Sequence, residues 1–250
     1  MILCASMLAA PALAQSPSPR DAAGGAGCGN GGVLTFVQRI GGCSAILAFE
    51  RVTTRARVIV HDWRGQLYAS KGDYAAAILD FSATIRLDPS YFSAYGERAD
   101  VYLAIGDAQK AVDDYGAYIR LNPDWKRFYG RGLAHLQLNN LDAIIDDFSE
   151  TIKRAPSEST AWTGRGEARQ RNGEVDLAIA DFDRAIALDP TDPDSWFDRG
   201  IAYSDKGDPD HAIADYSQAI SLKSDDAWYY NNRGNSYIDK KDDGPRDGRL

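Results

Sequence analysis

The chain has 250 residues, of which 44% are hydrophobic and 26% charged, with a formal net charge of −8. That composition excludes disorder throughout, and the length suits one or two domains or a single repeat array. The acidic balance argues against a phosphate-backbone partner, which needs a concentrated Lys/Arg surface, and reads instead as solubility.

The chain opens on "MILCASMLAAPALAQ", apolar from Ile2 and ending in Ala12-Leu13-Ala14. A short apolar run before a small-x-small site reads as a secretory signal peptide over residues 1–14, although no Lys or Arg precedes it. It is too short to span a bilayer as a helix, and no later segment could cross one. Export leaves Cys28 and Cys43 as the mature cysteines, an even pair in an oxidising compartment. A disulfide between them closes a loop worth roughly 3 kcal/mol. Two cysteines so far apart with no paired His are a poor zinc site, so no metal is expected.

Residues 15–32 are rich in Ser, Pro, Ala and Gly and read as a flexible linker. Gly27 to Gly32 match G-x-G-x-x-G, but no strand pattern precedes them, so a nucleotide site is rejected. From Val33 an apolar pattern of helical spacing runs through Phe36, Val37, Ile40, Ile46 and Leu47, giving a segment over 33–57.

Then a unit repeats. Pro89, Pro123, Pro156 and Pro190 recur at intervals of about 34 residues, with two helical patterns per interval. The units run over 58–91, 92–124, 125–158, 159–192 and 193–226, and a sixth starts at Ala227 and stops half-way, leaving 227–250 as a partial unit and tail. The first helix of each carries an aromatic at its fourth place (Tyr95, Phe128, Trp162, Trp196, Tyr230) and a small residue four places on (Gly65, Ala99, Gly132, Gly166, Gly200, Gly234). A turn follows at Gly72-Asp73, Gly106-Asp107, Asn139-Asn140, Gly173-Glu174 and Gly207-Asp208. Gly and Asn accept the left-handed backbone that ends a helix, and the next residue caps the following one. The second helix pairs a small or branched residue with an aromatic, as in Ala77/Phe81 and Ala212/Tyr216, and stops before "DP".

Arg64, Arg98, Arg131, Arg165, Arg199 and Arg233 hold one place in the first helices. Asp80, Asp114, Asp147, Asp181 and Asp215 hold one place in the second. In an antiparallel pair these places lie nearly opposite, so they are expected to form structural pairs: Arg64 with Asp80, Arg98 with Asp114, Arg131 with Asp147, Arg165 with Asp181, Arg199 with Asp215. His61, His135 and His211 fall at different places, and no H-E-x-x-H, G-x-S-x-G or Walker pattern occurs. No catalytic residue and no cofactor is expected.

The recurring Trp/Tyr, Gly, Tyr, Ala, Phe and Pro places resemble the tetratricopeptide repeat (TPR) family, in the form common in bacteria, over roughly Val58 to Lys240. His61, Arg169 and Ser224 depart from the pattern. The resemblance implies an all-α fold: a right-handed superhelical solenoid of antiparallel helix pairs, five full units plus a partial sixth, with 33–57 as an N-terminal cap. It further implies that the first helices line a concave groove for a peptide or protein. By helical spacing the groove-facing residues are Asp62, Gln66, Gly96, Asp100, Tyr129, Leu133, Gln137, Thr163, Glu167, Phe197, Ile201, Asn231 and Asn235. Asp62 and Gln66 stand where the family's clamp for acidic C-termini has Lys and Asn, so that clamp is not expected. The expectation is a non-catalytic, monomeric interaction scaffold, periplasmic or secreted, without nucleic acid or membrane insertion. The alternative is a small-molecule or lipid carrier using the same groove. The last helix is expected to cap the array through Asn231, Asn232, Asn235, Ser236 and Asp239.

Overall fold

The computed structural model describes Cys28 and residues 34–242. The expected signal peptide, the linker apart from Cys28, the glycine cluster and the tail beyond residue 242 lie outside them.

The described residues form twelve helices and no strand. Helix α1 spans Phe36–Ala48. Five helix pairs follow: α2 (Thr54–Lys71) with α3 (Tyr74–Leu87), α4 (Phe92–Ala104) with α5 (Ala108–Leu121), α6 (Trp125–Gln137) with α7 (Leu141–Arg154), α8 (Ser159–Arg171) with α9 (Val175–Leu188), and α10 (Pro193–Asp205) with α11 (Pro209–Leu222). Helix α12 spans Ala227–Asp242. Each helix packs chiefly on its neighbours in sequence, which is the architecture of a solenoid.

The turns inside the pairs follow from backbone chemistry. Gly72, Gly106, Gly173 and Gly207 have φ between 77° and 83°, and Asn139 has φ 56°. These are left-handed conformations that a Cβ strains, least so for Asn. Asp73, Asn140 and Asp208 then accept a backbone N–H from the first turn of the next helix. Asp107 and Glu174 make no such bond. Asp107 bonds Lys110 at 2.5 Å, and Glu174 accepts from Asn172 at 2.6 Å.

The core of each pair is a ring against a small residue. A Cβ built on Gly200 would lie 2.7 Å from the Tyr216 ring, so only glycine lets the two helices approach this closely. Phe81, Phe148 and Phe182 sit in the same way against Gly65, Gly132 and Gly166. The rings are fully buried and are among the largest buried side chains of the protein.

The aromatic at the fourth place has a second task that spacing did not suggest. Trp162 Nε1 donates to the Pro156 carbonyl at 3.0 Å, and Trp196 Nε1 donates to the Pro190 carbonyl at 3.1 Å. The Tyr95 hydroxyl reaches Pro89 O at 3.3 Å. Each ring therefore ties the loop between units to the helix that follows it.

At the N-terminal end Cys28 and Cys43 form a disulfide, and both are buried. Arg57 donates to the carbonyls of Leu47, Phe49 and Val52, satisfying the end of α1 and the connection to α2.

Candidate functional site

All five expected Arg–Asp pairs form, each with at least two hydrogen bonds. Arg165 Nε and Nη2 meet Asp181 at 2.9 and 2.7 Å, and Arg98 meets Asp114 at 2.7 and 2.8 Å. Arg64 with Asp80, Arg131 with Asp147 and Arg199 with Asp215 repeat this geometry. The third nitrogen reaches back to the preceding unit. Arg98 Nη1 donates to Ser82 at 2.7 Å, Arg165 to Ser149 at 3.0 Å and Arg199 to Asp183 at 2.6 Å. Arg64 does the same to Ser44 of α1 at 2.9 Å. Helix α1 therefore occupies the place of a second helix in front of the first unit. At Arg131 the corresponding residue is Gly116, which has no side chain to offer.

Two of the three departures from the repeat pattern, His61 and Arg169, meet the same carboxylates. His61 Nδ1 lies 2.7 Å from Asp80, and Arg169 Nη1 donates to Asp181 at 2.7 Å. Burial works against the charge on Asp80, yet hydrogen bonds from Arg64 and His61 hold it below its ordinary value. These charges are consumed by structure.

The other face of the first helices is arranged differently. Successive first helices touch along it. Tyr91, just ahead of α4, donates to Asp62 Oδ2 at 3.2 Å, and Gln66 donates to the same oxygen at 2.9 Å. Arg127 of α6 reaches Asp100 of α4 at 2.7 Å, and Tyr115 donates to Asp100 at 2.6 Å. Thr163 of α8 bonds Ser195 of α10 at 2.9 Å, and Gln170 donates to Asp205 at 2.6 Å.

This seam changes the placement of several expected groove residues. Asp62 and Thr163 are buried, because the next unit's first helix covers them. Gly96 is buried under Arg127 and Tyr118. Tyr129 packs on Phe148 within its own unit, and Phe197 lies between Tyr216 of its own unit and Tyr229 of the next, so both serve packing. Gln66, Asp100, Leu133, Glu167 and Ile201 are half-buried, while Gln137, Asn231 and Asn235 are exposed.

Units one and two hold an imbalance of charge. Asp62 is 2% exposed, and its Oδ1 has no hydrogen-bond partner. Glu97, on the next first helix, is 9% exposed and makes no hydrogen bond among the described residues. Desolvation, with the nearby Asp62 and Asp100 charges, pushes the Glu97 carboxyl up to about 8 despite Arg127. Desolvation likewise lifts Asp62 to about 7. In unit four desolvation pushes Glu167 up to about 7 against the attraction of Arg171, with Asp194 and Asp192 adding to the rise. Glu97, Tyr91, Arg127 and Ser195 were not expected here. Register held a signal for one of them: Arg127 stands at a place occupied elsewhere by Val60, Ala94, Ala161, Ser195 and Tyr229.

Among the described residues no group of His, Cys, Asp and Glu could hold a metal ion. No described helix is long and apolar enough to cross a membrane.

The tetratricopeptide repeat family profile matches residues 63–126, 97–149 and 129–193, and related repeat profiles match 182–214 and 202–240. A search of the curated proteins gives no match. Among solved structures the chain is similar to YrrB, described as a TPR protein with an unusual peptide-binding site, with TM-score 0.67 and 19% identity over 71% of this chain and 92% of that one. It is similar to MamA, with TM-score 0.65 and 22% identity over 69% of this chain and 95% of that one. It is also similar to MamA of Desulfovibrio magneticus RS-1, with TM-score 0.64 and 18% identity over 68% of this chain and 98% of that one. At these identities the likeness concerns the fold. Helix pairs of this geometry, repeating over most of the length and matched by the family profile, establish that the chain belongs to the tetratricopeptide repeat family.

Proposed function

We propose that the protein is a non-catalytic scaffold that holds a peptide or protein segment against the inward face of its first helices, in the bacterial cell envelope. The carrying observation is the charge imbalance of units one and two. Asp62, Glu97 and Asp100 outnumber Arg127, and among the described residues Asp62 Oδ1 has no hydrogen-bond partner and Glu97 makes no hydrogen bond. A basic side chain of a bound segment would meet the half-buried Asp100, with the acidic Glu97 and Asp62 behind it, which favours binding of positive charge. Half-buried Leu133 and Ile201 add apolar contact further along. The peptide-binding site in YrrB's description supports the same use of the fold.

The envelope location rests on the apolar opening through Ala14 and on the Cys28–Cys43 bond, which persists in an oxidising compartment. Intact mass of exported material should give a mature start near Gln15 with no free thiol. A retained Met1 with two labelled thiols overturns that part.

For binding, fluorescent peptides that differ only in charge can be titrated against the protein at low and high salt. Basic-apolar peptides should bind, weaken with salt, and weaken further in Glu97→Gln. Equal affinity for acidic and basic peptides overturns the reading.

A further inference from the structure

One place along the inward face carries an alternation of its own. Asp100 of α4, Leu133 of α6, Glu167 of α8 and Ile201 of α10 stand at the same position of successive first helices, and all four are half-buried. The place one turn earlier is closed by packing, with Gly96 under Arg127 and Thr163 bonded to Ser195. A bound segment therefore has a single row to touch: acid, apolar, acid, apolar. The row lies inside the array, with described helix pairs on both sides of Leu133. At α12 the same place holds exposed Asn235. The cap expected there is only partly polar, since Ser236 is buried, Asn232 half-buried, and Trp228 and Ile238 exposed.

Both acids of the row stand in surplus negative charge. Behind Asp100, Asp62 is 2% exposed with its Oδ1 unbonded, and Glu97 is 9% exposed and makes no hydrogen bond among the described residues. Around Glu167, Arg171 attracts while Asp192 and Asp194 repel. The spacing of the row is set by helix packing. Arg127 of α6 meets Asp100 of α4, and Arg171 of α8 bonds Asn139 just past α6, so successive first helices touch. Helices in contact lie about 8–10 Å apart. A polyproline II chain has three residues per turn and rises about 3.1 Å per residue, so every third side chain returns to one face after about 9 Å. That step matches the step between first helices. An α-helix about 10–12 Å across needs more than one open row.

We infer that this row takes a polyproline II segment of another protein in which a basic, an apolar and a second basic residue follow one another at every third place. The two bases meet Asp100 and Glu167, and the apolar side chain meets Leu133 between them. The pattern reads the same in both chain directions. The inference rests on the proposed use of the inward face and adds the period of its occupant. The chain's own segments outside the described residues lack this pattern. Among residues 1–33 the only base is Arg20, and after residue 242 Arg246 and Arg249 are three places apart with Asp247 between them.

The test uses the full 250-residue chain at pH 8, above the value of about 7 to which desolvation lifts Glu167. Labelled proline-rich peptides carry two Lys residues four, six or eight places apart with Leu midway, and a helix-forming peptide carries them fourteen apart. Anisotropy should show the six-place peptide binding roughly tenfold or more tighter than the other three. Glu167→Gln, which keeps the shape of the side chain, should remove that gain, while Glu150→Gln on α7 should keep it; thermal melts confirm that both variants are folded. Basic peptides that bind alike at every offset overturn the inference and leave the proposed function standing. Basic peptides that bind no better than neutral ones overturn both. Tightest binding at fourteen places overturns the inference because the occupant would then be a helix. A peptide copying residues 240–250 that binds as tightly as the six-place peptide also overturns it, since the chain's own tail would then be the occupant.

Discussion

Two systems of buried charge run along opposite faces of the same first helices, and they obey different rules. On one face each Asp meets an Arg through two hydrogen bonds, with Ser82, Ser149 or Asp183 taking the remaining nitrogen in three of the units. On the other, in units one and two, Asp62 and Glu97 are as deeply buried but lack a matching cation. A buried charge is tolerated when its partner is equally buried and well aligned; without one, the group takes up a proton instead. The matched face locks each unit internally and to its predecessor. The unmatched face keeps stability below what the same positions could give, as sites kept for a ligand often do.

The comparison breaks most sharply at Asp181, which serves both Arg165 and Arg169. Asp181→Ala leaves two half-buried guanidinium groups without their carboxylate and should cost about 3–5 kcal/mol. Arg165→Ala should cost less, since Arg169 still meets the acid. Arg171→Ala, at an exposed residue bonded to Asn139, should stay within about 0.5 kcal/mol of the parent. Denaturant melts of the three variants rank them; equal shifts would show that the ladder contributes nothing.

The unmatched face should respond to pH in the opposite sense to an ordinary ion pair. With Glu97 held near 8 and Asp62 near 7 in the folded state, the folded chain keeps protons that the unfolded chain releases at lower pH. Stability is therefore unpenalised below the unfolded values near 4, falls as pH rises toward about 8, and levels off above it. Glu97→Gln should remove part of that slope and be more stable than the parent at pH 9 by about 1–3 kcal/mol, with little gain at pH 4. Melts of both proteins across this range check it, and parallel curves would dissolve the distinction between the two faces.

The smallest effect sharpens the matched side. Gly116 leaves Arg131 without the backward link that Arg98 and Arg165 have, and a Cβ there sits 3.8 Å from Arg131 Nη1 with no clash. Gly116→Ser should add about 1 kcal/mol, from the new hydrogen bond and the loss of a helical glycine. A thermal melt shows the gain or its absence.

The matched face was legible in the sequence because it recurs. Arg and Asp at fixed places in every unit, with rings and small residues between them, constrain a helix pair to one geometry whatever lies elsewhere. The unmatched face was not legible for the opposite reason. Asp62, Glu97 and Arg127 occupy places that differ from unit to unit, and spacing alone could not say that the next first helix would bury Asp62 and Thr163.

Local periodicity and backbone chemistry thus determined the helices, the left-handed turns and the Arg–Asp partners, since these depend on residues within one unit and its nearest neighbour. Only the tertiary structure decided which inward residues the stacking of units covers and how many carboxylates share one cation. Those outcomes depend on contacts between residues about one repeat apart, such as Asp62 with Tyr91, where no sequence period specifies whether a polar group meets a partner or only a wall.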